Sequence, residues 1–312
     1  MDELDKTLLF ELSANCRVSF TSLAIKYKVS ISTIKNRVNH LEEQKIIVAY
    51  SVAPKLSLLN ISTAMILIHC NNKPEPTFME SIGSHRLVEI AGIGLGNEGY
   101  VVANYSNTRE LNEFTEFLQT LGSVDRYEVY HILLPPGSEG ESPTKTLNDL
   151  KRIDWLILEQ LYRNGRKPLS ELSKAIGASV PTIRKRLDFL REHHLCHFTI
   201  LLNPVATSRG FMIMFSVTLP SLSIDRQREI EEILRKEMSE QFWVSWKVVD
   251  KPVILLGCHL SNTAEVQEIR QKIQKLIPDT QNITDVVAGV AQYYPDIRKE
   301  VIQERLATYT EK

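Results

Sequence analysis

The segment TIKNRVNHLEEQ begins at Thr33, and TIRKRLDFLREH begins at Thr182, 149 positions later. A chain that spells nearly the same helix-like word twice, so far apart, folds one unit twice. The interval is far longer than the period of a solenoid, so the repeat is a tandem duplication of a larger unit. Residues 4–55 slide onto 153–204 without a gap, matching Asp5 with Asp154, Asn15 with Asn164, Arg17 with Arg166, Ser30 with Ser179, Arg37 with Arg186 and Leu41 with Leu190. The apolar matches, such as Leu8/Ile157, Leu12/Leu161 and Val38/Leu187, recur at helical spacing.

Each copy reads as three helices and a ribbon. Leu4, Leu8, Leu9 and Leu12 line one face of a first helix, and a short second helix spans roughly 19–27. Lys28-Val29 forms a tight turn, Ser30 caps a third helix, and Ile34, Val38 and Leu41 point inward from it. Copy two turns at Gly177-Ala178, caps with Ser179 and places Pro181 in the first helical turn, where a missing amide proton costs nothing. A strand pair follows in each copy, IIVAYSVAP and LCHFTILLNP. Short helix, turn, longer helix and ribbon make a winged helix-turn-helix, a DNA-reading module.

With its apolar stripe buried, the third helix presents Ser32, Thr33, Lys35, Asn36 and Asn39, with Arg37 at the flank; copy two presents Thr182, Arg184 and Lys185, with Arg186 at the flank. Five Lys/Arg stand against two acids between Lys26 and Lys45, and again between Lys174 and His194, a net of +3 each. Hydroxyl and amide side chains bond phosphates or base edges, and Arg and Lys contact guanine or phosphate. These residues form the expected interface with double-stranded DNA. Arg37 and Arg186 lie at the buried edge, so either a DNA contact or a pairing with a helix carboxylate suits them.

The intervening segments alternate differently. STAMILIHC, PEPTFMESIG, RLVEIAGIGL, GYVVANYS, TRELNEFTEFLQTLG and VDRYEVYHILLP read β-α-β-β-α-β, and the order repeats from GFMIMFSVTLP to ITDVVAGVAQYY. The fold class is therefore α+β, a tandem duplication of a winged helix-turn-helix plus a βαββαβ ferredoxin-like domain. Expected boundaries are a winged domain over 1–60, a sandwich over 61–135, a linker over 136–148, a second winged domain over 149–208, and a second sandwich with a C-terminal helix over 209–312. The strands are apolar enough that the sheet face without helices needs cover, and pairing with another sandwich supplies it, either within the chain or from a second chain.

Composition narrows the function classes. The 37 basic and 38 acidic residues leave a net charge of −1, so affinity for a polyanion must come from local patches. Cys16, Cys70, Cys196 and Cys258 lie far apart without zinc spacing, and are expected as reduced thiols. The start, MDELDKTLLFEL, is acidic and amphipathic rather than a signal peptide, and no apolar run approaches a bilayer span. A cytoplasmic protein with no membrane contact, cofactor or metal is expected. No catalytic constellation appears. His193, His194 and His197 cluster without an acid, as a phosphate contact at the wing tip or plain surface would.

In LDKTLLFELSANCRVSFTSLAIKYKVSISTIKNRVNHLEEQKIIVAY and IDWLILEQLYRNGRKPLSELSKAIGASVPTIRKRLDFLREHHL, the chain resembles the leucine-responsive regulator/AsnC family of transcription regulators, as two fused units. The resemblance implies a sequence-specific regulator whose sandwiches sense small effectors such as amino acids and assemble into homodimers or larger oligomers. It places the effector near the turn between the second and third strands, here Gly96, Asn97, Glu98, Gly99 and Tyr100, which an ordinary hairpin also explains. Two non-identical recognition helices imply an asymmetric site. Sirohaem decarboxylases resemble the same architecture and set His, Arg, Tyr and Trp around these strands. Here His85 and Arg86 precede the second strand without a Tyr-Asn-x-Trp run, and Trp243 and Trp246 lack a preceding histidine. A ligand-binding protein that no longer binds DNA is a third class.

Overall fold

A computed structural model describes residues 2–72, 74–94, 96–133, 142–203, 211–288 and 291–309. The expected linker therefore lies outside the described residues up to position 141, as does the expected boundary at 208. The chain forms two compact units, each assembled from both halves: Met1–Ile61, Pro136–Thr207 and Ile297–Lys312 in one, Ser62–Pro135 and Ser208–Asp296 in the other.

In the first unit, copy one contributes α1 (Glu3–Ala14), α2 (Phe20–Tyr27), α3 (Ile31–Glu43) and strand β1 (Ile47–Pro54). Copy two contributes α6 (Arg152–Leu161), α7 (Leu169–Ile176), α8 (Val180–Glu192) and strand β6 (Cys196–Leu202). The helices arise where the periodicity puts them, and Leu8, Leu12, Leu23, Ile34, Val38 and Leu41 join Ile157, Leu158, Leu161, Leu172, Ile183 and Leu190 in one core. The repeat register extends to backbone conformation. Lys28 and Gly177 are left-handed, at φ 54° and 74°, and so are Lys45 and His194, at 57° and 52°. Each pair is 149 positions apart.

One expectation is corrected here. The ribbon is not a strand pair within each copy; β1 pairs antiparallel with β6, from Ile47↔Leu202 to Pro54↔Cys196. A single strand leaves its amides and carbonyls unpaired, and the other copy supplies their partners. The C-terminal helix α11 (Ile297–Ala307) also differs from its expected place in the second sandwich. It belongs to the winged unit, where Ile302 enters the shared core and Tyr309 Oη donates to the Leu150 carbonyl at 3.3 Å.

The second unit is a nine-stranded sheet. Its first half holds β2 (Ser62–Cys70), α4 (Pro76–Gly83), β3 (Val88–Ile93), β4 (Glu98–Tyr105), α5 (Thr108–Thr120) and β5 (Val124–Leu133). The second holds β7 (Phe211–Thr218), α9 (Ile224–Glu237), β8 (Phe242–Val248), β9 (Val253–Leu260), α10 (Glu265–Leu276), β10 (Asn282–Ala288) and β11 (Ala291–Tyr293). The order β10-β7-β9-β8-β5-β2-β4-β3-β11 contains the ferredoxin-like arrangement twice. The halves join where β5 pairs with β8 (Ile132↔Val248, Leu133↔Lys247) and where β11 pairs with β3. Only positions 289 and 290 separate β10 from β11, so one stretch of chain holds both ends of the row.

The continuous apolar runs have a simple cause: both sheet faces are covered. On β7, Ile213, Phe215 and Val217 face the helices of their own half. Met212 and Met214 alternate with them and pack with Met65, Leu67, Tyr100, Val102, Tyr130, Ile132 and Leu255 from both halves. The open sheet face is thus covered within the chain.

The left-handed turns generate a prediction. A side chain in that conformation costs about 1–2 kcal/mol, which glycine avoids. A Cβ at Gly177 would meet nothing within 4 Å, so backbone strain alone should count there. Gly177→Ala should destabilise the protein by about 1 kcal/mol and Lys28→Gly should stabilise it slightly, both read by urea denaturation.

Candidate nucleic-acid interface

The two third helices start in the same way. The Thr33 amide donates to Ser30 Oγ at 3.0 Å and the Thr182 amide to Ser179 Oγ at 3.3 Å, satisfying the unpaired first-turn donors. The hydroxyls of Ser32 and Thr33 share hydrogen bonds with Ser30 Oγ at 2.7 and 2.8 Å, and Thr182 Oγ1 shares one with Ser179 at 2.8 Å. A hydroxyl donates once and accepts twice, so each keeps capacity for an outside partner.

Beyond the caps, Lys35, Asn36 and Asn39 on α3, and Thr182, Arg184 and Lys185 on α8, are exposed. The nominal +3 of each copy resolves into distinct uses. In copy one Lys26 is bound by Glu11 at 2.6 Å and Arg37 by Asp2 and Asp5 at 2.8 and 3.4 Å. In copy two Arg191 is bound by Asp188 at 2.8 Å and Arg186 by Asp154. Among the described residues, Lys28, Lys35 and Lys45 in copy one, and Lys174, Arg184 and Lys185 in copy two, form no ion pair. The same number of uncommitted cations thus remains in each copy. On α8, Pro181, Arg184, Lys185, Asp188 and Glu192 border an open depression of about 620 Å3.

Arg37 and Arg186 take the carboxylate alternative, to different degrees. Arg186 Nε donates to Asp154 Oδ1 at 2.6 Å while its Nη2 bonds Oδ2, and its guanidinium lies 4.2 Å from the Phe189 ring. The Asp154 side chain is fully buried and that of Arg186 is 14% exposed. Arg37 is looser, with a side chain 40% exposed. These pairs tie the recognition helix to the first helix of its own copy. Asp5/Asp154 and Arg37/Arg186 recur at the same positions of both copies, but the sequence alone does not pair them.

His193, His194 and His197 are half-buried, and His193 and His197 have different surroundings. His193 Nδ1 bonds Thr144 Oγ1 at 2.8 Å and its ring packs on Phe189, with centroids 4.7 Å apart. The Nε2 of His197 is buried, and burial together with the nearby charges of Arg298 and Lys55 pushes its pKa down to about 3. That ring is neutral at physiological pH and offers no charge to a phosphate.

In the first sandwich, Gly96 and Asn97 are exposed between β3 and β4, where the Asn97 carbonyl accepts the Cys70 amide at 2.7 Å. Glu98 and Gly99 begin β4, and a Cβ on Gly99 would come within 2.8 Å of the Gly92 carbonyl oxygen. Tyr100 is buried in the core between the two halves, its ring lying so close over Gly92 that a Cβ there would sit 2.4 Å away. Burial raises the phenol above its ordinary pKa. Four of the five residues line the turn and strand start, whereas Tyr100 is a packing group.

The unequal carboxylate–arginine pairs give a direct test. Removing one partner of a buried pair strands the other charge and costs about 3 kcal/mol or more, whereas the Arg37–Asp5 pair, with a buried carboxylate but an arginine 40% exposed, is partly screened by water and contributes less. Asp154→Asn should therefore lower unfolding stability more than Asp5→Asn, by chemical denaturation at neutral pH.

The AsnC-type helix-turn-helix domain matches residues 1–42, and a winged helix-turn-helix DNA-binding domain matches residues 150–194. An uncharacterized HTH-type transcriptional regulator of Pyrococcus abyssi (strain GE5 / Orsay) is 26% identical over 137 residues, covering 43% of this chain and 92% of the relative. The structure of E. coli AsnC is 22% identical, covers 44% of this chain and 94% of that one, and has a TM-score of 0.34. The sirohaem decarboxylase NirDL is similar in fold across 99% of this chain and 100% of its own, with a TM-score of 0.60 at 13% identity. One relative's length corresponds to less than half of this chain, and winged domains match near the start of both halves. The chain thus carries an AsnC-type helix-turn-helix domain near its start and a second winged helix-turn-helix domain at the start of its second half.

Proposed function

We propose that the protein is a DNA-binding transcription regulator that reads an asymmetric site with two non-identical recognition helices. The observation that carries this reading is the matched pair of capped, solvent-facing helices, α3 and α8, each with uncommitted cations in its own copy. The faces differ where bases would be met: Lys35-Asn36 corresponds to Arg184-Lys185, and Asn39 to Asp188. Asp188 is bound by Arg191, which moderates the acid on the α8 face. Ser32, Thr33, Lys35, Asn36, Asn39, Thr182, Arg184 and Lys185 are the proposed contacts, and Arg37 and Arg186 support them from the helix edge.

The decarboxylase reading rests on fold alone. His85, which it would need for a tetrapyrrole, packs against Phe114 and Phe117 at centroid distances of 4.6 and 5.0 Å. Arg86 pairs with Glu110 at 2.6 Å, and Trp243 and Trp246 pack against the core between the halves. We favour a non-enzymatic regulator. No helix among the described residues is long and apolar enough to cross a membrane, in keeping with a cytoplasmic site of action. The pairing of sandwiches that the family resemblance leads one to expect between subunits is supplied here inside one chain. A homodimer or larger assembly would use other surfaces.

Two outcomes follow. Arg184→Ala with Lys185→Ala should weaken binding to a site selected from random DNA by at least about 1 kcal/mol, and wild-type binding should fall steeply with salt as counterions are released. A double variant that binds as wild type in gel-shift titration would remove α8 from the interface, and a perfectly palindromic selected site would remove the asymmetric reading. For the turn at Gly96–Gly99 we propose a small effector of the amino-acid class. One common amino acid at millimolar concentration should then raise the thermal midpoint, because a ligand that binds only the folded state stabilises it. No shift across the set would leave a regulator without such an effector.

A further inference from the structure

Arg17 and Arg166 occupy equivalent places in the two copies, and each reaches into the other. Arg17 Nη1 donates to the carbonyls of Gly165 and Lys167 at 2.6 and 3.1 Å. Arg166 Nη2 donates to the Val18 carbonyl at 3.4 Å, and its guanidinium stacks over the rings of Phe20 and Tyr50 at 4.4 and 5.3 Å. The neighbouring backbone is crossed in the same reciprocal way. The Cys16 amide donates to Phe198 and the Gly165 amide to Tyr50, both at 2.8 Å. The approach at Gly165 is close enough that a Cβ would lie 2.9 Å from the Ser51 amide nitrogen.

The carbonyls gripped by Arg17 belong to the loop leading into α7, and the carbonyl gripped by Arg166 to the loop leading into α2. These helices pack on the recognition helices, α7 on α8 and α2 on α3. Each arginine therefore holds the lead-in of the other copy's helix-turn-helix. A two-stranded ribbon by itself twists readily. A planar guanidinium spanning two carbonyls has a fixed geometry and adds anchorage outside the ribbon. We propose that Arg17 and Arg166 are positioning residues that set the separation of α3 and α8, and through it the spacing of half-sites the chain accepts. The second clause rests on the DNA-binding reading; the first does not.

The test uses the full chain. The native cysteines are all buried, so spin labels at Asn36→Cys and Lys185→Cys, on the exposed helix faces, report the α3–α8 distance by pulsed electron resonance. The expected result is a single narrow distance in the otherwise native chain, and a shift or broadening of at least about 3 Å, the rise of one base pair, when Arg17→Met and Arg166→Met are added. An unchanged distribution in a folded variant overturns the proposal. If that variant shows no cooperative thermal unfolding, Arg17→Lys with Arg166→Lys, which keeps the charge and loses the fork, is read by the same criterion. On DNA, inserting one base pair between the selected half-sites should weaken unlabelled wild type about tenfold and the Met variant less than about twofold. Equal loss by both at every spacing overturns the link to half-site choice. A wild type that binds no DNA overturns the regulator reading, while the distance measurement still decides the clasp.

Discussion

A β-strand without a neighbour exposes a row of unsatisfied amides and carbonyls, and a sheet face without a partner exposes apolar side chains to water. Neither half of this chain meets both demands alone. The strand that closes copy one finds its partner in copy two, from Ile47↔Leu202 to Pro54↔Cys196. The bare sheet face of each sandwich is covered by the other half, through Met65, Leu67, Met212, Met214 and Leu255. The remaining architecture follows from that mutual dependence, including the way the polypeptide passes back and forth between its two units.

Duplication then divides the residues that stay the same from those that change. Several identical pairs do structural work. Asp5/Asp154 hold Arg37/Arg186, Ser30/Ser179 cap the recognition helices, and Arg17/Arg166 cross between copies. The positions that differ, Lys35 against Arg184, Asn36 against Lys185 and Asn39 against Asp188, lie on the solvent side of those same helices. A common frame with two different reading faces suits a site with two different halves, because direct readout depends on the donors and acceptors presented to each base edge.

The frame is not perfectly symmetric. Arg186 makes a bidentate bond with a carboxylate wholly out of water, whereas Arg37, itself partly exposed, is shared between the exposed Asp2 and the buried Asp5. Arg17 satisfies two carbonyls, while Arg166 makes one longer bond and lies over two aromatic rings. The second copy also carries α11 against its first helix. Copy two is therefore the more firmly braced, and its recognition helix bears the stronger Arg-Lys pair.

The duplication, the repeated helices with their Ser30 and Ser179 caps, the turns at Lys28-Val29 and Gly177-Ala178 and the β-α-β-β-α-β order were all legible in the sequence. Each reports a local burial period or a local backbone requirement. The need for cover on the sheet face was legible too, from runs such as STAMILIHC and PVILLGCHLS. Tertiary structure alone decided the partners. It joined β1 to β6 across the copies, closed both sheet faces within one chain, committed Arg186 to Asp154, and buried Tyr100 and the Nε2 of His197. The physical reason is that periodicity records which side of an element is dry, not which surface dries it. An arginine at a half-buried helix edge has the same sequence signature whether its guanidinium meets a carboxylate or a phosphate. Only the position of Asp154, one helix away, distinguishes the two.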